Sequence, residues 1–264
     1  MTLSYPELPE SARPRWPAWY GPVALVGSLG ALVFFFPALP ILLLGGFSES
    51  LAALALLVLL VVQDSVLSGA ALLFANFKLR PRPWHFGLRP TRPWPTIGWA
   101  VLGFGLILGF ELAYIALLDV EETNVEDLGS GALVAAVMVA LAVIVVAPVS
   151  EEFFFRAFFY RALRSRLRVW AAAPIDGVVF GALHFEGVDT AIILPVIAVF
   201  GVGQCLVYER TGSLFAVIAI HSAFNTVATL GVSPVPALVL GVLMLLACLL
   251  VPRRLPPAPS PVAA

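Results

Sequence analysis

The stretch "GALVAAVMVALAVIVVAPVSEEFFFRAFFYRALRSRLR", residues 131–168, decides the fold class. Its first part carries no charge and is as long as the roughly 20 apolar residues an α-helix needs to cross a hydrocarbon core. Glu151 and Glu152 then stand side by side before a triple phenylalanine. Arg156 follows, and Arg161, Arg164, Arg166 and Arg168 close the stretch. An apolar run that ends in clustered arginine reads as a membrane helix reaching an interface. The two glutamates and Arg156 lie before that end, where ionised groups are expensive and are functional candidates by default.

The pattern repeats along the chain. Of its 264 residues, 61% are hydrophobic and 12% charged, against roughly 25% charged in soluble domains. This excludes a soluble enzyme and leaves no room for a separate soluble domain. The sequence predicts an all-α, polytopic membrane helix bundle of about eight transmembrane helices, at 20–44, 51–77, 96–118, 131–160, 171–186, 191–208, 213–230 and 235–251. The fifth and sixth are short enough to be tilted or broken. Pro37, Pro40, Pro148, Pro174 and Pro195 are placed to kink or delimit helices. Residues 1–19 form an N-terminal cytoplasmic segment without the pattern of a cleaved signal peptide, so the first span directs insertion. Residues 20–251 form the bundle, and 252–264 a disordered tail. Segment 78–95 is a Pro/Arg linker with tryptophans suited to the interface. Gly105–Gly109 and Gly177–Gly181 are small-xxx-small pairs that permit close helix contact. Net charge is −1, which gives no reason to expect a nucleic-acid partner. Cys205 and Cys248 lie in apolar runs and read as core residues, with no disulfide or metal implied.

Charge orients the bundle. Every Lys and Arg except Arg156 falls on one side of an eight-span arrangement: Arg13 and Arg15; Lys78, Arg80, Arg82, Arg89 and Arg92; Arg161 to Arg168; Arg210; Arg253 and Arg254. Asp119, Glu121, Glu122, Glu126 and Asp127 fall on the other, with Glu49, Glu186 and Asp189. The positive-inside rule then puts both termini in the cytoplasm, and the expected location is the plasma membrane.

The polar residues within spans are Asp64, Glu111, Glu151, Glu152, Arg156, Asp176, His184, Gln204, His221 and Asn225. Glu152 and Arg156 share a helix face at i,i+4 and can pair, while Glu151 is rotated by about 100°. One carboxylate is thus neutralised and the other points elsewhere, as suits a general base acting on water. His221 and Asn225 also share a face at i,i+4, and both can donate to a developing oxyanion. At about 1.5 Å per residue, Glu151, His184 and His221 each lie roughly 12–15 Å into the membrane, which predicts one buried pocket. Glu152 is expected to pair with Arg156 while Glu151 faces that pocket.

Glu-Glu-x-x-x-Arg at 151–156, Phe-x-x-x-His at 180–184 and His-x-x-x-Asn at 221–225 resemble, in that order across consecutive spans, the CPBP family of CAAX-type and bacteriocin-processing intramembrane proteases. "FGLRP" at 86–90 is similar to a linker motif of that family, and the likeness covers about residues 80–230. Ala157 stands where many relatives carry Gly. The resemblance implies that Glu151 activates water, that His184 helps hold it, that His221 and Asn225 stabilise the oxyanion and that Glu152 and Arg156 support them. It implies a membrane-associated protein or peptide as substrate, cut within the lipid bilayer. The family has been described both as metalloproteases and as metal-independent glutamate proteases. Two histidines and a glutamate also suit zinc, although there is no His-Glu-x-x-His helix, so the cofactor stands open between none and a divalent metal such as zinc.

Each motif has a plainer structural reading. Glu152–Arg156 alone is an ion pair, His184 alone a packing residue, His221–Asn225 alone interhelical glue. Asp64 and Glu111 match no motif and read as structural or proton-path residues, and Asp176 as a cap for the fifth span. The phenylalanines of 153–159 read as lipid-facing and core packing, and the arginines of 161–168 as headgroup anchors. Two other functions compete with the peptidase: a non-catalytic immunity or scaffold protein, and a proton-coupled transporter. The intact motif set disfavours the first. The lack of an internal repeat, with polar groups at one depth, disfavours the second.

Overall fold

The computed structural model describes residues 16–35, 49–118, 132–185, 187–231 and 233–256. Eight helices follow in order: α1 (Tyr20–Phe35), α2 (Glu49–Lys78), α3 (Pro93–Leu118), α4 (residues 132–164), α5 (Val169–Ala182), α6 (Leu194–Thr211), α7 (Leu214–Thr229) and α8 (Pro234–Leu250). There is no strand among the described residues. The eight-helix, all-α membrane bundle is as expected. Leu51–Lys78, Pro93–Leu118, Leu133–Arg164 and Pro234–Arg254 are long and apolar enough to cross a membrane. Helices α5 and α7, of 14 and 16 residues, reach only roughly 21–24 Å at about 1.5 Å per residue, short of the roughly 30 Å core. Pro37, Pro40, the acidic residues between Asp119 and Asp127, Arg13, Arg15, Glu186, and residues 257–264 lie outside the described residues. The expected tail begins with a 3-10 turn, Val251–Arg254.

Exposure is inverted relative to a soluble protein. Val101, Leu106, Leu117, Val178 and Leu243 are each more than half exposed, whereas α4 runs through the middle. Phe154, Phe155, Phe158, Phe159 and Tyr160 are all at most 2% exposed. These aromatic residues are therefore core and not lipid-facing. Trp16 is fully buried, stacked on Phe86 and beside Phe158, so the N-terminal segment is packed where its description begins. Arg161 and Arg164 also turn inward, away from the headgroups. Arg161 is buried, and Arg164 pairs with Glu209 at 2.7 Å, which also accepts from the Tyr160 hydroxyl at 3.0 Å.

Helix α4 is one continuous helix with two π-helical stretches, Leu141–Val146 and Phe155–Tyr160. The first has a cause in the sequence. Pro148 has no N–H and its ring crowds the preceding turn, and the widened turn accommodates it. The N–H of Ala147 bonds to Ala142 O. Val143 O would take its donor from Ala147 in an α-helix or from residue 148 in a π-helix. The first is diverted and the second is proline, so this carbonyl is left to a partner outside α4.

Helices α5 and α6 approach backbone to backbone. A Cβ on Gly177 would stand 2.5 Å from Ala198 O, and one on Gly201 2.8 Å from Gly177 Cα. The Gly177–Gly181 pair does what its spacing predicts. Gly105 and Gly109 do not, since a Cβ on either meets nothing within 4 Å. The close contact of α3 is made by Gly103, against Val207. Pro195 opens α6, while Pro174 lies inside α5.

Candidate active site

The polar residues of α4 point in two directions. Glu152 and Arg156 are fully buried and paired, Nη1 to Oε1 at 3.1 Å, as their spacing predicts. Arg156 also has Nε 3.7 Å from Asp176 Oδ1, and its guanidinium lies 4.4 Å above the Phe180 ring. Asp176 is mid-helix in α5 and fully buried, where it accepts from Cys205 Sγ at 3.0 Å. It is no helix cap. A lone Asp in an apolar helix gives no sequence signal of its partner.

His221, on α7, joins the two glutamates. Its Nδ1 is 2.8 Å from Glu152 Oε1, and its Nε2 is 4.0 Å from Glu151 Oε2. A carboxylate oxygen accepts here, so Nδ1–H donates, and in the neutral ring Nε2 is an acceptor. One turn on, Asn225 Nδ2 donates to Val143 O at 2.7 Å. That is the carbonyl orphaned by Pro148 and the π-stretch, so the kink in α4 and the amide of α7 are two halves of one feature. His184 Nδ1 donates to Phe180 O at 2.8 Å, which explains the Phe-x-x-x-His spacing: the carbonyl four residues back fixes the ring.

His184, His221 and Asn225 line one cavity of about 300 Å³, with Phe180 and Phe200 between them and α3 as the opposite wall. Glu151 is not a wall of this cavity. It stands beside His221 Nε2, with its side chain 13% exposed and Oε2 without a hydrogen-bond partner among the described residues. The expectation that Glu151 faces the pocket directly thus needs correction. The rotation of about 100° per residue that separates it from Glu152 carries it toward α2. There Asp64, buried and without a hydrogen-bond partner among the described residues, faces Ser150 and lies close enough to interact with Glu151 electrostatically. Glu111 of α3, read from sequence as a structural or proton-path residue, is a wall of the cavity. Gln204 is buried and donates to Val217 O at 2.8 Å, a bond between α6 and α7 that positions the latter.

Residues 133–227 match the family model for type II CAAX prenyl endopeptidases, Rce1-like. Over this segment the chain is similar to that family. It runs from α4 into α7 and contains all six candidate residues: Glu151, Glu152, Arg156, His184, His221 and Asn225. Asp64 and Glu111 lie before it. No curated protein and no solved structure matches the chain. In the Rce1-like segment, no three described His, Cys, Asp or Glu side chains converge as the donors of a metal ion would, and His221 commits Nδ1 to Glu152. The third histidine, His85, lies in the connection between α2 and α3. Burial, with Arg161 and Arg82 nearby, pushes it down to about 4, so it stays neutral near pH 7, and its Nδ1 accepts from Arg82 N at 3.0 Å.

Proposed function

We propose that the chain is an intramembrane endopeptidase that hydrolyses a peptide bond of a membrane-associated protein or peptide, with Glu151 as the general base. One observation supports this above others. His221 stands between the two glutamates, 2.8 Å from Glu152 and 4.0 Å from Glu151, and opens on the cavity shared with His184 and Asn225. A water molecule making hydrogen bonds of about 2.8 Å to both Glu151 Oε2 and His221 Nε2 spans such a gap. Glu151 takes one proton of that water, with His184 helping to orient it. Its oxygen attacks the carbonyl carbon, and the C=O electron pair moves to the oxygen. Asn225 has one amide hydrogen on Val143 O and a second for the oxyanion. His221 adds a donor through Nε2 only as an imidazolium, because Nδ1–H is committed to Glu152. Glu151 then gives its proton to the leaving nitrogen, the C–N bond breaks, and a carboxylic acid and an amine depart. Glu152, Arg156 and Asp176 position His221 and touch no substrate.

The test is cleavage of a membrane-tethered reporter by the purified protein in detergent. Asn225→Ala should lower kcat by about 10²–10³, the usual loss for one oxyanion donor, with KM little changed. The wild type should keep its rate in a metal chelator. A chelator-sensitive rate restored by zinc would keep the peptidase and overturn the metal-free base.

Both termini are also proposed to be cytoplasmic, since all Lys and Arg but Arg156 fall on one side of an eight-crossing chain. Reporter fusions after Arg92 and after Glu122 should report opposite faces. Reports from one face would remove a crossing between them.

A further inference from the structure

Among the described residues, Glu111 is the one acidic residue on the wall of the cavity that His184, His221 and Asn225 open onto. It comes from α3, across the cavity from the histidines and outside the Rce1-like segment. Ile107, Leu108, Leu112 and Ile115 flank it on its own helix and are apolar, and no Lys or Arg lines the cavity among the described residues. No hydrogen bond or ion pair engages its carboxylate among the described residues. The wall itself is held in place one turn away, where the Tyr114 hydroxyl donates to Ile192 O at 2.7 Å. The nearest cation of the site, Arg156, is buried behind Glu152 and Asp176. A carboxylate at membrane depth without a partner is costly, and such residues pair with something or mark a pathway. What fits this one is a positive charge brought in by the occupant of the cavity.

We propose that Glu111 is a specificity-determining residue, whose carboxylate receives a cationic side chain, Lys or Arg, of the polypeptide segment that enters the cavity. The inference rests on the endopeptidase reading for its occupant, and on the cavity alone for its charge. The position is fixed by the wall: the recognised side chain lies opposite the reacting carbonyl, so it belongs to a residue near the scissile bond. Discrimination comes from both directions. A Lys or Arg gains a partner, and a Glu or Asp meets a like charge in a low-dielectric site.

Two measurements separate this proposal from the peptidase reading. The first needs no cleavage. Ala228 lines the same cavity from α7 and is exposed, so the Ala228→Cys variant places a thiol there, while Cys205 and Cys248 are buried and give the blank. The thiol should react faster with a trimethylammonium-tailed methanethiosulfonate than with a sulfonate-tailed one. Adding Glu111→Gln should cut that rate ratio roughly tenfold or more, as expected for a unit charge about 8 Å away at an effective dielectric near 20. Any effect of Glu111 on the thiol's own ionisation cancels in the ratio. An unchanged ratio, or a thiol that reacts with neither reagent, overturns the proposal whether or not the protein is a peptidase. The second uses membrane-tethered reporters with Lys, Ala or Glu placed in turn at each position around the cleaved bond. At one position the wild type should prefer Lys over Glu by roughly tenfold or more in kcat/KM. Glu111→Gln should bring the Lys-to-Glu ratio of kcat/KM close to one whatever the rate on the Ala reporter, and Glu111→Lys should reverse it. A uniform fall for all reporters would make Glu111 structural and overturn the proposal. If the wild type cleaves nothing, the peptidase reading and its cationic substrate fall together, while the labelling ratio still tells whether Glu111 sets the charge of the cavity.

Discussion

Glu151→Gln lowers kcat for the membrane-tethered reporter by roughly 10²–10⁴, the range for loss of a general base, and leaves the melting temperature in detergent near that of the wild type. The two halves of this expectation follow from the same geometry. Glu151 Oε2 has no hydrogen-bond partner among the described residues, and its closest polar neighbour across α7 is His221 Nε2 at 4.0 Å. An isosteric amide therefore breaks no bond that holds the bundle together. What it removes is the carboxylate beside His221 Nε2 that can take a proton from water. The amide still fills the space and still hydrogen-bonds water, so loss of rate without loss of binding separates the base from a merely space-filling residue. Glu152→Gln makes the control. It also abolishes a carboxylate, but one that serves Arg156 and His221 at 3.1 and 2.8 Å, so its effect is expected in stability as well as in rate. Full activity in Glu151→Gln would refute the mechanism as drawn.

How much of this was legible in the sequence depends on whether the deciding interaction is local. The Glu152–Arg156 pair and the His184–Phe180 bond are both i,i+4 within one helix, and helix periodicity alone places such partners on one face. The seam at Gly177 and Gly181 was legible for the same reason. Gly105 and Gly109 have identical spacing and face open space, because spacing permits an approach but the partner helix decides it. The role of Asp176 depends on α4 and α6 together, through Arg156 and Cys205, and a reading of one helix at a time assigns it to a cap. Glu111 and Asp64 fell outside any motif since each faces its neighbours only after four or more helices assemble. The rotation of Glu151 away from the cavity wall was half legible. The angle from Glu152 follows from helix geometry, but which of the two directions holds the cavity depends on where α5 and α7 sit.

Arg156→Met should be the most destabilising single change in the bundle, with a loss of about 3–5 kcal/mol typical of breaking a buried ion pair from one side. Arg156 is fully buried between Glu152 at 3.1 Å and Asp176 at 3.7 Å, so its removal leaves two carboxylates without their cation where no water replaces it. Met matches the arginine in reach and apolar volume, which excludes a packing defect as the main cause. The expected readout is a sharp fall in the melting temperature in detergent, with Arg156→Lys intermediate, because one ammonium does not present the planar fork that serves two acceptors. The decisive variant combines Arg156→Met with Glu152→Gln and Asp176→Asn. Removing all three charges relieves the unpaired carboxylates, so much of the stability should return. Activity should not, because His221 Nδ1 then meets an amide oxygen or amino group in place of the carboxylate that fixes its tautomer. Stability and activity thus part company in one protein: the guanidinium holds the carboxylates, and the carboxylate of Glu152 holds the histidine. If Arg156→Met melts with the wild type, the triad is not what keeps α4, α5 and α7 together. If the triple variant recovers both stability and rate, Glu152 has no positioning role and the orientation of His221 must come from its aromatic neighbours, Phe180 and Phe200.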